Sequence, residues 1–391
     1  MWLVDGAKPN TSYFPSLIAD NLTWEKIRTT NLGLDFSALN YRLTGSFDYF
    51  WRVNKDMVGP ARTYPAVLGA SAPKENNLAM KTYGWELTIG WRDHVGDFNY
   101  QVKVNFSDDQ TKITDYPNPE LYINSGNYEP GSNYIAGHVV GNYYGFQTIG
   151  IAKTQEEMDA HLATLPNGGQ DAIGNNWQAG DIMYADLNGD GKITRGNSLN
   201  DLGDLKVIGN NQPRYRMGVN LFGQWKGIDL TVFFQGVLKR DYYFNPEGDQ
   251  GTAAKGAVFW GVGGNRWESL FLKEHMDYWR DDSSLLGANP DAYYPRPLFG
   301  NVKNRMFQTR YMQNAAYVRL KNLQVGYTLP KELTQKFFVD NLRVFFSAEN
   351  LCTWTKMSKV IDPESLEVSS MKSGSSYPLA KTFSFGVTLD L

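Results

Sequence analysis

Eight consecutive residues near the middle of the chain, Asp186-Leu187-Asn188-Gly189-Asp190-Gly191-Lys192-Ile193, have the types and spacing to hold a hard cation. Calcium takes oxygen ligands. A loop can offer them from its first, third and fifth positions when a glycine at the sixth permits a sharp turn. Asp186, Asn188 and Asp190 occupy those three positions, and Gly191 is the sixth residue. The backbone carbonyl of Lys192, at the seventh, adds a further ligand. The twelfth position calls for a carboxylate but holds Asn197. Asp201 or Asp204 can substitute if the intervening loop folds back. The expectation is one structural Ca2+ that stiffens an external loop, held by Asp186, Asn188, Asp190, Lys192 and Asp201. The competing reading is an Asx- and glycine-rich turn with solvated carboxylates.

Little else is arranged for chemistry. His94, His138, His161 and His275 are scattered without metal-ligand spacing. The serines form no nucleophile elbow, and no glycine-rich phosphate loop is present. Asp281-Asp282 could pose as an acid/base pair, but it lies in a polar loop. No enzyme is expected, and no cofactor beyond the calcium ion. Trp260, Trp267, Tyr278 and Trp279 could stack on sugar rings or, more commonly, pack their own connection. Thr154-Gln155-Glu156-Glu157 reads as a capping box opening a short helix through Leu165.

The elements that must position these residues are strands. From Thr382 to Leu391, Phe383, Phe385, Val387, Leu389 and Leu391 alternate with Thr382, Ser384, Gly386, Thr388 and Asp390. Successive side chains of a strand point to opposite sides, so this ribbon has one oily and one wet face. Eight earlier segments behave alike and come as pairs. Asn31–Ser37 and Tyr41–Val53 flank a tight turn, and Trp85–Arg92 and Phe98–Ser107 flank a loop containing Gly96. Arg214–Phe222 and Ile228–Val237 turn around Lys226-Gly227, and Lys321–Leu329 and Leu342–Asn350 are joined through Pro330.

Between pairs the connections are long, roughly 54–83, 108–212, 239–316 and 352–379. Soluble domains seldom carry several such loops, whereas membrane barrels combine short turns at one end with long loops at the other. If every short turn lies on one side, an even number of crossings must separate Ser107 from Arg214. The strand-like run at 139–151 then belongs to loop structure rather than to a single spanning strand.

Composition agrees. The net charge of −3 and the lack of a basic run argue against a nucleic-acid partner. One cysteine, Cys352, rules out an intramolecular disulfide framework. No apolar run is long enough for a membrane helix, but alternating strands average to a polar hydropathy. The 23 Tyr, 21 Phe and 11 Trp suit the aromatic girdles of a barrel. The first residues show no basic and apolar export signal, so an exported chain of this kind is expected to be a fragment.

Scattered motifs point further. They include Asn21-Leu22-Thr23-Trp24-Glu25-Lys26, Gly45-Ser46-Phe47-Asp48-Tyr49-Phe50, Gly84-Trp85-Glu86-Leu87 and Gly180-Asp181-Ile182 with the Asp186–Gly191 loop. Ile208-Gly209-Asn210 leading to Pro213-Arg214-Tyr215, and Phe233-Phe234-Gln235-Gly236, follow. Then come Tyr317-Val318-Arg319-Leu320-Lys321-Asn322-Leu323, Gly326-Tyr327-Thr328-Leu329-Pro330, Ser347-Ala348-Glu349-Asn350-Leu351 and Tyr377-Pro378-Leu379. In this order the chain resembles the TonB-dependent outer membrane transporters of the SusC/RagA type.

The resemblance implies an all-β fold, an antiparallel transmembrane β-barrel of 22 strands with long external loops. Residues 1–391 would form its C-terminal portion, about nine strands, without the signal peptide, plug and first strands. It further implies import of glycans or peptides across the cell outer membrane. The implied partners are a SusD-like surface lipoprotein, the TonB complex through the missing N-terminal region, an oligosaccharide or peptide substrate, and outer membrane lipid. Leu391 departs from the aromatic residue that commonly ends such barrels. Inward-facing Lys103, Asp229, Arg343 and Glu349 would line the passage. The alternative is a soluble, calcium-stabilised β-protein that binds carbohydrate.

Overall fold

The computed structural model describes residues 17–19, 22–59, 73–116, 135–198, 201–243, 273–298, 303–359, 362–366 and 379–390. Nine long strands form one sheet: β1 (Lys26–Ala38), β2 (Leu43–Gly59), β3 (Glu75–Val95), β4 (Phe98–Asp115), β5 (Arg214–Trp225), β6 (Ile228–Lys239), β7 (Tyr317–Thr328), β8 (Asn341–Thr355) and β9 (Thr382–Asp390). Their order in the sheet is their order in the chain, and every pairing is antiparallel. Each expected strand is present.

Several strands run well past the segments that alternation marks; β3 has 21 residues and begins at Glu75. The physical reason is simple. Alternation records only the height at which one face meets apolar surroundings, whereas backbone hydrogen bonds extend a ladder whatever the side chains are.

Register makes the two faces continuous. One row crosses all nine strands through Ala38, Leu43, Trp91, Val102, Leu221, Val232, Leu323, Ala348 and Phe383. The adjacent row, on the opposite face, reads Ser37, Thr44, Gly90, Lys103, Asn220, Phe233, Asn322, Glu349 and Thr382. The first row is apolar throughout, and the second is polar except at Phe233 and Gly90. Among the described residues none covers the apolar face around β9, where Phe385 is 84% and Val387 64% exposed.

The hydrophobic core lies elsewhere. Its buried cluster includes Tyr143, Phe146, Met158, Ile182, Tyr184, Ile193, Tyr243, Phe307 and Tyr311, all drawn from the long connections and none from the nine strands. These connections fold into a packed cap at one end of the sheet. The run at 139–151 divides between two of its small sheets. Asn142–Phe146 pairs with Leu205–Asn210, and Thr148–Ile151 pairs with Ile182–Tyr184. It is loop structure, as the crossing count required.

The helix α1 (Gln155–Ala163) also belongs to the cap. The Thr154 side chain accepts from Glu157 N at 3.3 Å, and the Glu157 carboxylate accepts from Lys153 N at 2.6 Å. The capping box therefore closes one residue earlier than its usual form.

Candidate functional site

In the Asp186–Gly191 loop the carboxylate of Asp186 accepts from Gly189 N at 2.6 Å and from Gly191 N at 2.8 Å. Asn188 Oδ1 accepts from Asp190 N at 3.0 Å, and Asp190 Oδ1 from Lys192 N at 3.1 Å. The chain thus winds around its own acidic side chains, with Gly189 and Gly191 at φ 75° and 78°. Such a φ suits glycine.

Of the two acids considered for closing this loop, Asp204 is the one folded onto it. Its buried carboxylate accepts from Leu187 N at 2.8 Å and Thr194 N at 2.7 Å. Burial, assisted by the charges of Asp186 and Asp190 and opposed by those two backbone bonds, raises its pKa above the usual 3.8. Asp201 is exposed and accepts instead from Gly203 N at 3.1 Å. Among the described residues no three His, Cys, Asp or Glu side chains gather closely enough to hold a metal ion. The oxygen of Asn188 and the Lys192 carbonyl are further oxygen donors of the same loop.

The polar face of the sheet carries charge in fixed geometry. Lys103, Asp229 and Glu349 lie on it by register, as expected. Arg343 joins them by reaching Asp229 with a two-pronged ion pair, Nε at 2.8 Å and Nη2 at 2.6 Å. The pair passes over Gly326, where a Cβ would sit 2.6 Å from the Asp229 carboxylate and would also meet Arg343. The glycine of the Gly326-Tyr327-Thr328 motif therefore leaves room for a charge pair.

Sequence reasoning missed two charge centres. Asp181 is fully buried in the cap. It accepts from Arg296 Nε at 2.7 Å and Nη2 at 2.9 Å, from Lys303 Nζ at 2.7 Å, and from Asn304 Nδ2 at 2.9 Å. Burial alone would raise its pKa, but these donors outweigh it and hold the acid below 3.8. Lys303 moves against this trend, because its own burial outweighs the bond to Asp181 and draws the ammonium below its ordinary value. Gln178 N adds a fifth donor to the acid at 2.9 Å. Gly180, at φ 84°, exists because a Cβ would strike the Trp279 ring at 2.5 Å. The run Gly180-Asp181-Ile182 is thus a staple between the second and third long connections.

The second missed centre joins Arg319 and Lys321 of β7 to Asp362 and Glu364 of the last connection. A signal for it stood in the sequence. Apolar parity on β7 switches from Leu323, Val325 and Tyr327 to Val318 and Leu320. Such a switch marks a bulge.

The cap aromatics that can be placed serve packing. Trp279 Nε1 donates to Lys153 O at 3.2 Å, and the Arg280 guanidinium lies 4.8 Å over the Tyr278 ring. Trp260 and Trp267 lie outside the described residues. His94 is exposed at the end of β3, as its hairpin position suggested.

Comparison with known proteins bears on the whole chain. The chain is 28% identical over 385 residues to TonB-dependent receptor P3 of Formosa agariphila, covering 95% of this chain and 34% of that protein. It is 23% identical over 388 residues to TonB-dependent receptor SusC of Bacteroides thetaiotaomicron, covering 96% and 33% respectively. In solved structures it matches the RagAB peptide transporter with a TM-score of 0.64 at 22% identity, covering 94% of this chain and 35% of that one. No protein-family model matches. The chain spans about a third of the length of the relatives it matches. Those relatives are named as receptors, not as enzymes. The scattered motifs and the nine-stranded fold point the same way: the chain is similar in sequence to TonB-dependent receptors, SusC among them, and shares its fold with the RagAB peptide transporter.

Proposed function

We propose that the chain is part of the wall of an outer membrane TonB-dependent transporter that imports glycans or peptides. The observation that carries this reading is the pair of opposite-face rows crossing nine strands, apolar on an uncovered face and polar on the other. An uncovered apolar face of that width suits hydrocarbon, and a polar face suits a water-filled passage. A sheet in a bilayer tolerates no unpaired edge, because each free N–H or C=O there costs several kcal/mol. The outer edges of β1 and β9 therefore call for further strands, in keeping with a closed 22-stranded barrel. A SusD-like lipoprotein on the cap side, and energy supplied by TonB, complete the reading.

Fractionation tests it. The chain should sediment with outer membranes after a carbonate wash and need detergent to stay monodisperse. A chain that is soluble and monomeric without detergent would overturn the proposal in favour of the soluble carbohydrate-binding protein.

We propose, more narrowly, one Ca2+ in the Asp186–Gly191 loop. Asp186, Asn188, Asp190 and the Lys192 carbonyl form an oxygen-only set, and Asp204 rather than Asp201 is the acid packed against it. Millimolar Ca2+ should protect the 186–204 loop from trypsin at Lys192. Equal cutting rates with Ca2+ and with a chelator would remove the ion from the description.

A further inference from the structure

The charge centre on β7 is built by a defect in the sheet. Pairing with β8 passes from Leu320↔Cys352 to Asn322↔Glu349, so Lys321 faces Asn350 and Leu351 together. Asn350 there takes a left-handed φ of 53°. On the other side, pairing with β6 steps from Phe234↔Leu320 to Phe233↔Asn322 and skips Lys321 again. Without the extra residue, Arg319 and Lys321 would share the apolar face with Leu323 and Val325. The bulge re-aims them to the polar face, the usual purpose of such an insertion.

There the two cations grip one short segment. Arg319 Nη2 donates to both oxygens of Asp362 at 2.6 Å, and Nη1 to Glu364 Oε2 at 2.6 Å. Lys321 Nζ donates to Glu364 Oε1 at 2.9 Å. Arg319 Nε is fixed by Thr353 Oγ1 at 2.8 Å, which sets the plane of the guanidinium. The segment is also anchored at its end, where Leu366 packs into the cap core and Arg240 Nη2 donates to Leu366 O at 3.1 Å, so release of the acids frees chiefly Asp362 to Ser365. Arg319 is almost fully buried, but the side chains of Asp362, Glu364 and Lys321 keep 19, 21 and 22% exposure. Three of the four charges therefore keep part of their surface open.

We propose that Arg319 and Lys321 form a carboxylate-binding pincer on the polar face, held shut by the chain's own Asp362 and Glu364. The internal acids stand in for a ligand, and they define what the pincer accepts: two carboxylates carried by one short chain, met by a planar fork and a point charge. A ligand with neighbouring carboxylates, from an acidic peptide or a uronic-acid oligosaccharide, competes for the same donors and releases residues 362–365. The proposal rests on the transporter reading only in placing this exchange inside the passage.

The test uses the whole chain in detergent micelles with two probes, tri-glutamate and tri-galacturonate. Hydrogen exchange of residues 362–365 should speed at least tenfold with one or both probes and stay unchanged in sodium chloride of equal ionic strength. The probe that acts identifies the ligand source. D362N/E364Q, with the stand-ins removed, should bind that probe at least tenfold more tightly than the unaltered chain, and R319Q should abolish binding. Unchanged exchange with both probes would overturn the proposal and leave the centre a fixed brace. That result would not touch membrane partitioning, so the two readings fail separately.

Discussion

At the scale of single residues, Asp181 is a fully buried acid on which two cations converge. Replacing it by Asn removes the carboxylate that Arg296 and Lys303 share, with Lys303 fully buried. Breaking one partner of such a buried set costs about 3–5 kcal/mol. D181N should lower cap stability by that order, read from the denaturant dependence of near-ultraviolet circular dichroism. The acid response follows from sign. Because its folded pKa lies below 3.8, the Asp181 contribution is complete above 3.8 and is lost as pH falls through the folded value. Acid titration of the cap signal should show that loss in the unaltered chain and a flatter profile in D181N. The sequence exposed Asp186, Asn188 and Asp190 because a metal loop is local in the chain. Asp181 was opaque because its donors, Arg296, Lys303 and Asn304, come from more than a hundred residues away.

At the scale of elements, the strands were legible because lipid-type alternation is written residue by residue. Their true lengths were not, since the continuation of β3 back to Glu75 depends on backbone pairing with β2 and β4. The two faces make opposite predictions for one substitution. Val232→Arg puts a cation on the apolar face of β6 and should cost about 2–4 kcal/mol at mid-bilayer. Thr231→Arg, one residue away on the polar face, should be nearly silent. Urea unfolding from lipid vesicles compares them directly; equal penalties would mean that the apolar face does not meet hydrocarbon.

At the scale of the molecule, the chain divides between a wall one layer thick and a cap with its own core. The cap was foreseen as loops, and its packing was not, because its aromatic contacts are dispersed in sequence. Tyr243 stacks on Phe307 at 4.4 Å between centroids, and Tyr184 OH donates to Lys303 O at 2.6 Å. Different forces hold the two parts, so they should unfold apart. In denaturant the near-ultraviolet signal of the cap should vanish before the far-ultraviolet β signal of the wall. Coincident transitions would show one cooperative unit.

The location of the core also shapes how such a chain ages. On the proposed transporter reading, acyl chains flow into any gap left by exchanging Val for Leu on the outer face, so that surface sets a hydropathy and hardly an identity. Inside the cap the same exchange leaves a void or a clash, with a penalty of about 1–3 kcal/mol. Substitutions should then accumulate at two speeds along one chain, fast on outward wall positions and slow around Tyr184 and Asp181. Relatives at 28% and 23% identity match over nearly the whole chain, and comparing their outward wall positions with their cap positions would check this. The alternation outlives the letters that spell it.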